Sequence, residues 1–95
     1  MKKTFNAKIK IEEEHRVLTS ENLWTLHYSA WKELWASASI KEISSAGAVY
    51  LFQIKWRGKF LKNFRIIFQN DVLIPIQPVL FDRANDDIFI RAKTV

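Results

Sequence analysis

Val49-Tyr50-Leu51-Phe52-Gln53-Ile54-Lys55-Trp56-Arg57 is the stretch from which the fold is read. In an extended chain Tyr50, Phe52, Ile54 and Trp56 share one side, and aromatic and β-branched residues of this kind suit a half-buried strand. Gly58 closes the run. Downstream, residues 64–69 and 72–77 flank Asn70-Asp71, a pair of the sort used in two-residue hairpin turns. Pro75 has no N–H to give a ladder, so the second of these strands is expected at an edge or with a bulge. Asp82-Arg83-Ala84-Asn85-Asp86 reads as a further turn after Phe81. Beyond it Ile88 and Ile90 alternate with Phe89 and Arg91 in a last strand.

Upstream, Phe5, Ala7, Ile9 and Ile11 alternate with Asn6, Lys8 and Lys10, again the period of a strand. Over residues 12–22 the pattern dissolves into charged and hydroxyl side chains, which reads as a long loop. Residues 23–43 support two readings. Trp31, Leu34, Trp35 and Ala38 have helical spacing, whereas Leu34, Ala36, Ala38 and Ile40 alternate with Trp35, Ser37, Ser39 and Lys41 as a strand would. Ser44-Ser45-Ala46-Gly47 then breaks the chain. Five to six short strands with tight connections predict a mainly β domain over residues 1–95. Its expected form is a small antiparallel β-barrel with a long loop after strand 1 (about 12–22) and at most one short helix.

Ninety-five residues suit one core, and 48% hydrophobic with 26% charged content suits a folded chain. There is no cysteine, which excludes disulfides, thiolate metal sites and cysteine nucleophiles. The longest apolar run, residues 46–52, is far short of the ~20 needed for a membrane-spanning helix. Lys2 and Lys3 could open an export signal, but Asn6, Lys8, Lys10 and Glu12-Glu13-Glu14 interrupt any apolar stretch after them. A soluble cytoplasmic product with no membrane partner is expected. The net charge of +5 is unevenly spread: between Glu42 and Asp71 lie Lys55, Arg57, Lys59, Lys62 and Arg65 and no acid.

Support for catalysis is slight. His15 and His27 are the only imidazoles, and a metal site at His15 would need Glu12–Glu14 and a ligand from elsewhere, so no metal is expected. Asp86 and Asp87 are adjacent and on a strand would face opposite ways, so they cannot work as a pair on one substrate. No serine sits in a nucleophile-elbow frame, and two glycines cannot build a phosphate loop. The expectation is a non-enzyme with no cofactor. The aromatic, basic middle has the ingredients of a single-stranded nucleic-acid surface, with Tyr50, Phe52, Trp56, Phe60 and Phe64 as stacking rings. The same rings are also the material from which a small core must be built. Lys55, Lys59 and Lys62 are candidate phosphate contacts on either reading.

The order of these pieces resembles the phage head–tail joining family, also called head-closure, stopper or head–tail adaptor proteins. The resemblance rests on Trp31 followed by Leu34-Trp35-Ala36 and on Ile54-Lys55-Trp56-Arg57 at a strand end. It continues through the hairpin Arg65-Ile66, Phe68, Gln69-Asn70-Asp71, Val72-Leu73-Ile74, and ends with Arg83 before Ile88-Phe89-Ile90. It runs from about Phe5 to Lys93. It departs from the family in a shortened segment at 42–48 and in lacking glycine in the first loop and hairpin turn.

The resemblance implies a compact β-barrel in which 34–40 is strand. It also implies a structural role in the virion, with assembly in the host cytoplasm. Copies would form a homo-oligomeric ring against the portal or adaptor ring, close the DNA-filled head and receive tail-completion or tail proteins; a lone subunit can be monomeric. The first loop, with Glu13, Glu14, His15, Arg16 and Glu21, would face the channel or a neighbour. Trp24, Tyr28, Trp31 and Arg57 would serve the subunit interface, and channel cations would touch double-stranded DNA without reading its sequence.

Overall fold

A computed structural model of the chain describes residues 5–95, so that Lys2 and Lys3 lie outside the described residues. Seven strands follow one another: β1 (Ala7–Leu18), β2 (Trp24–Ser44), β3 (Gly47–Lys55), β4 (Phe64–Phe68), β5 (Asp71–Pro75), β6 (Leu80–Asp82) and β7 (Asp87–Thr94). All pairings are antiparallel, in the order β3-β2-β1-β4-β5-β7-β6, and β3 also pairs with β7. Six strands therefore close a barrel. β6 occupies the part of β7's edge that β5 leaves open, with Leu80 opposite Phe89 and Leu73 opposite Thr94.

The core follows from alternation. Ile9 and Ile11 of β1, Ala36 of β2, Phe52 and Ile54 of β3, Ile66 of β4, Leu73 of β5 and Ile88, Ile90 and Ala92 of β7 are at most 1% exposed. Opposite partners reinforce one another inside the wall: Ile11 faces Ile66, Ile54 faces Ile88 and Phe52 faces Ile90. Aromatic rings fill both ends. Tyr50, Phe52 and Phe68 meet at one end with centroids 5.4–5.9 Å apart. Trp31, Trp56, Phe60 and Phe64 form a chain of ring contacts at the other, with centroids 5.2–5.5 Å apart.

Two expectations are corrected and one open reading is decided. Residues 12–18 are not loop: β1 runs on to Leu18 in register with Trp24, so β1 and β2 make a hairpin whose turn spans only 19–23. β1 meets β4 only over Lys10–Glu13, and beyond that the two strands stand away from the barrel as a two-stranded arm. The radius of gyration, 14.5 Å, exceeds the roughly 12.4 Å of a compact chain this long, as a projecting arm requires. Residues 24–43 are strand throughout, which decides between the two readings in favour of the strand that the resemblance implied for 34–40. The hairpin turn after β4 falls on Gln69-Asn70, one residue earlier than read, and both adopt positive φ (51° and 67°). Asn accepts that conformation readily, and the pair has the signs of a type I′ turn.

Pro75 fits its place. Ile76 N donates to Arg91 O, so by alternation the Pro75 nitrogen points to the other edge, where pairing with β4 has ended at Leu73. β2 carries two bulges, at Trp31 and at Lys41. The first turns Trp31 inward against Trp56 and Phe60, while Trp35 stays outside, 57% exposed.

Candidate functional site

Two surfaces stand out, the arm and a groove beside its base. On the arm's outer face Glu14 opposes Tyr28, Arg16 opposes Leu26, and Leu18 opposes Trp24. The base of that face is tied down. Arg65 Nε donates to Glu12 Oε1 at 2.6 Å, its guanidinium lies 3.8 Å from the Tyr28 ring centroid, and Tyr28 Oη donates to Glu14 Oε1 at 3.0 Å. Burial, and then the hydrogen bond to the Glu14 carboxylate, raise the Tyr28 phenol above its ordinary value and keep it a donor.

Toward the tip polar anchoring gives way to Leu18, Trp24 and Leu26, all at least half exposed, with Trp24 at 68%. The turn is held by Thr19, whose N donates to Leu23 O at 2.7 Å and whose Oγ1 accepts from Glu21 N and Leu23 N. Glu21 itself is exposed.

The arm's other face carries Glu13, His15 and Val17 against Ser29, His27 and Thr25. The two histidines are cross-strand partners but lean opposite ways. His15 Nε2 is 2.8 Å from Ser29 Oγ, and His27 Nε2 is 3.2 Å from Thr25 Oγ1. Among the described residues no group of three or more metal-ligating side chains is gathered.

The groove lies between the loop 56–63 and residues 78–83. That loop is fixed by Trp56 N to Asp86 O (2.8 Å), Trp56 Nε1 to Lys59 O (2.9 Å) and Arg83 Nη1 to Gly58 O (3.2 Å). Phe60, Leu61, Val79 and Phe81 floor a space of about 500 Å³, Lys59, Lys62 and Arg83 rim it, and none of the lining residues is acidic. The arm begins next to this loop, where Glu14 N donates to Asn63 O at 3.1 Å, and runs away from it.

The sequence candidates separate accordingly. Glu13, Glu14, His15, Arg16, Glu21, Trp24 and Tyr28 are on the arm, and Lys59 and Lys62 are on the groove rim. Lys55 is elsewhere, on the outer face of β3. Its Nζ lies 2.8 Å from Asp87 Oδ1, meeting it as a charge rather than in a well-directed hydrogen bond, and donates to Asn85 O at 3.0 Å. Asp87 offsets its charge, so it is not a free phosphate contact. Trp31 belongs to the aromatic cluster and is no free interface residue. Arg57 is exposed and gives Nη2 to Asp86 Oδ2 at 2.8 Å.

The stacking rings of the nucleic-acid reading are likewise taken up. Phe52 and Phe64 are buried, and Trp56 and Phe60 pack on one another and on Trp31. Missed altogether were Leu18 and Leu26 on the arm, and Phe60, Leu61, Val79, Phe81 and Arg83 as one groove. Isolated leucines in a polar run were the available signal for the first pair. Nothing local joins 60–62 to 79–83.

The hydrogen bond from Arg57 holds the Asp86 carboxyl below the usual carboxylate range. A depressed carboxyl contributes stability that is present above its unfolded pKa, about 3.9, and is lost as pH falls through the folded value. Both groups are solvent-exposed, so the increment is small. In urea melts Asp86→Asn should be slightly less stable than wild type at pH 7, and the deficit should shrink as pH falls below the unfolded carboxyl value of about 3.9. An equal deficit at both pH values would show that the carboxylate charge is not the cause.

No family model and no curated protein matches the sequence. Solved structures do match the fold. Protein SF1141 from Shigella flexneri 2a is similar over 97% of this chain and 94% of its own, with a TM-score of 0.77 and 17% identity. A chain in the virion of a native gene transfer agent particle is similar over 99% of this chain and 98% of its own, with a TM-score of 0.78 and 17% identity.

Proposed function

We propose that this chain is a structural subunit of a tailed-phage-like particle, which joins head to tail and closes the DNA-filled head as one copy in a ring. The observation that carries the reading is the near-complete overlay, end to end, on a chain of a gene transfer agent virion. The ordered motifs from Trp31 to Ile90 agree with it. So does the shape: a packed barrel with an arm of about 17 Å beyond Glu13, taking five residues at about 3.4 Å each, is built to touch neighbours rather than to enclose a substrate. Its partners on this reading are the portal or adaptor ring, the tail-completion proteins and further copies of itself.

Deleting the gene from its particle-producing source should leave filled heads without tails that lose their DNA. Restoring the wild-type chain should return whole particles in electron micrographs. Normal tailed particles in its absence would overturn the proposal.

A further inference from the structure

We infer that the arm tip of one copy seats in the basic, apolar-floored groove of the next, a head-to-tail contact between copies of this chain. The inference deepens the ring reading above and rests on it for the setting, but its warrant is a separation of charge. The tip, residues 17–26, carries one acid, Glu21, and no cation, whereas the groove rim carries Lys59, Lys62 and Arg83 and no acid. Two tips brought together gain no ion pair, and neither do two groove rims. Tip against body is the attractive pairing, and it joins unlike surfaces, as a heterologous interface must.

Shape and polarity agree. Leu18, Trp24 and Leu26 form one exposed apolar face, fixed by their register across the arm. Phe60, Leu61, Val79 and Phe81 offer an apolar floor, and its volume of about 500 Å³ has room for an indole and a leucine side chain. Glu21, at the turn, would come against Lys59 and Lys62 on the rim. A chain cannot seat its own tip, since the arm leaves the barrel beside Asn63 and points away. The contact is small, so a single pair is weak, and closure of a ring multiplies it through effective concentration.

The absence of native cysteine makes the test direct. Leu23→Cys places a thiol at the arm turn and Lys59→Cys places one at the groove rim, and both positions are exposed. The folded variants are mixed at about millimolar concentration and oxidised mildly. The mixed disulfide is expected to exceed either homodimer at least ten-fold, and the double variant L23C/K59C is expected to give a ladder of dimers, trimers and larger species. Adding Trp24→Ala, or Lys62→Glu on the groove partner, is expected to cut the mixed product at least five-fold and leave homodimer yields unchanged.

Mixed and homotypic products in random proportion, a dominant Leu23→Cys homodimer, or an excess that survives Trp24→Ala would each overturn the inference. The two proposals fail separately. A mixed disulfide in a protein whose deletion leaves tailed particles intact would sink the connector role alone. Tailless particles on deletion without the mixed disulfide would place the ring contact elsewhere.

Discussion

Phe52→Ala is expected to lower stability by about 3–5 kcal/mol and to leave a fraction of the protein unfolded at room temperature. Phe52 is fully buried, faces Ile90 in the wall and packs edge-to-face on Phe68 at 5.4 Å. Removing its ring deletes apolar burial and leaves a void that a closed wall cannot easily collapse to fill. A 95-residue chain has only about 5–14 kcal/mol of total stability, so the loss is a large share of it. In thermal melts the midpoint should fall by at least about 12 °C. Phe52→Leu, which keeps much of the volume, should lose less than half as much. A Phe52→Ala loss under about 1 kcal/mol in urea, with unchanged m, would mean that this ring is not part of a tightly packed core.

The second large effect is expected at Gly47, where β2 turns into β3. Its φ of +129° is one that L side chains rarely adopt, and a Cβ built there would lie 2.4 Å from Thr94 Oγ1. That hydroxyl cannot swing away at no cost, because it accepts from Ala48 N at 2.8 Å. Backbone strain alone is of order 1–3 kcal/mol, and displacing a hydrogen-bonded side chain adds about 1 kcal/mol. Gly47→Ala should therefore destabilise by about 2–4 kcal/mol, and Thr94→Ala in the same chain should recover part of the strain. A Gly47→Ala variant within about 0.5 kcal/mol of wild type would show that the turn relaxes freely.

Where one face of a strand is buried, the sequence was easy to read. Phe5–Ile11, Val49–Arg57 and the hairpin around Asn70 all alternate because one side faces the core and the other faces water. The arm escaped notice for the same reason in reverse. Both its faces are in solvent, so nothing requires apolar residues at every second position, and Glu12–Leu18 looks like loop although its backbone is fully paired with β2. In β2 the helical spacing of Trp31, Leu34, Trp35 and Ala38 was produced by the bulge. One extra residue at Trp31 shifts the phase, so Trp31 points inward three residues before Leu34 rather than two or four. Trp35, the odd member of that set, lies outside with Lys8 Nζ 5.6 Å from its ring centroid. The groove was beyond reading because its two walls are some twenty residues apart and meet only once the chain has folded, where Arg83 Nη1 reaches Gly58 O.

Rings at both mouths have a mechanical corollary. With its bore stoppered by Tyr50, Phe52 and Phe68 below and by the Trp31–Trp56–Phe60–Phe64 stack above, each copy is a solid strut and not a tube. If such struts stand in a circle, the passage for a genome is the space that they surround. Its width is then set by how many stand together and how they tilt, and substitutions inside any one of them would weaken the wall without narrowing the hole.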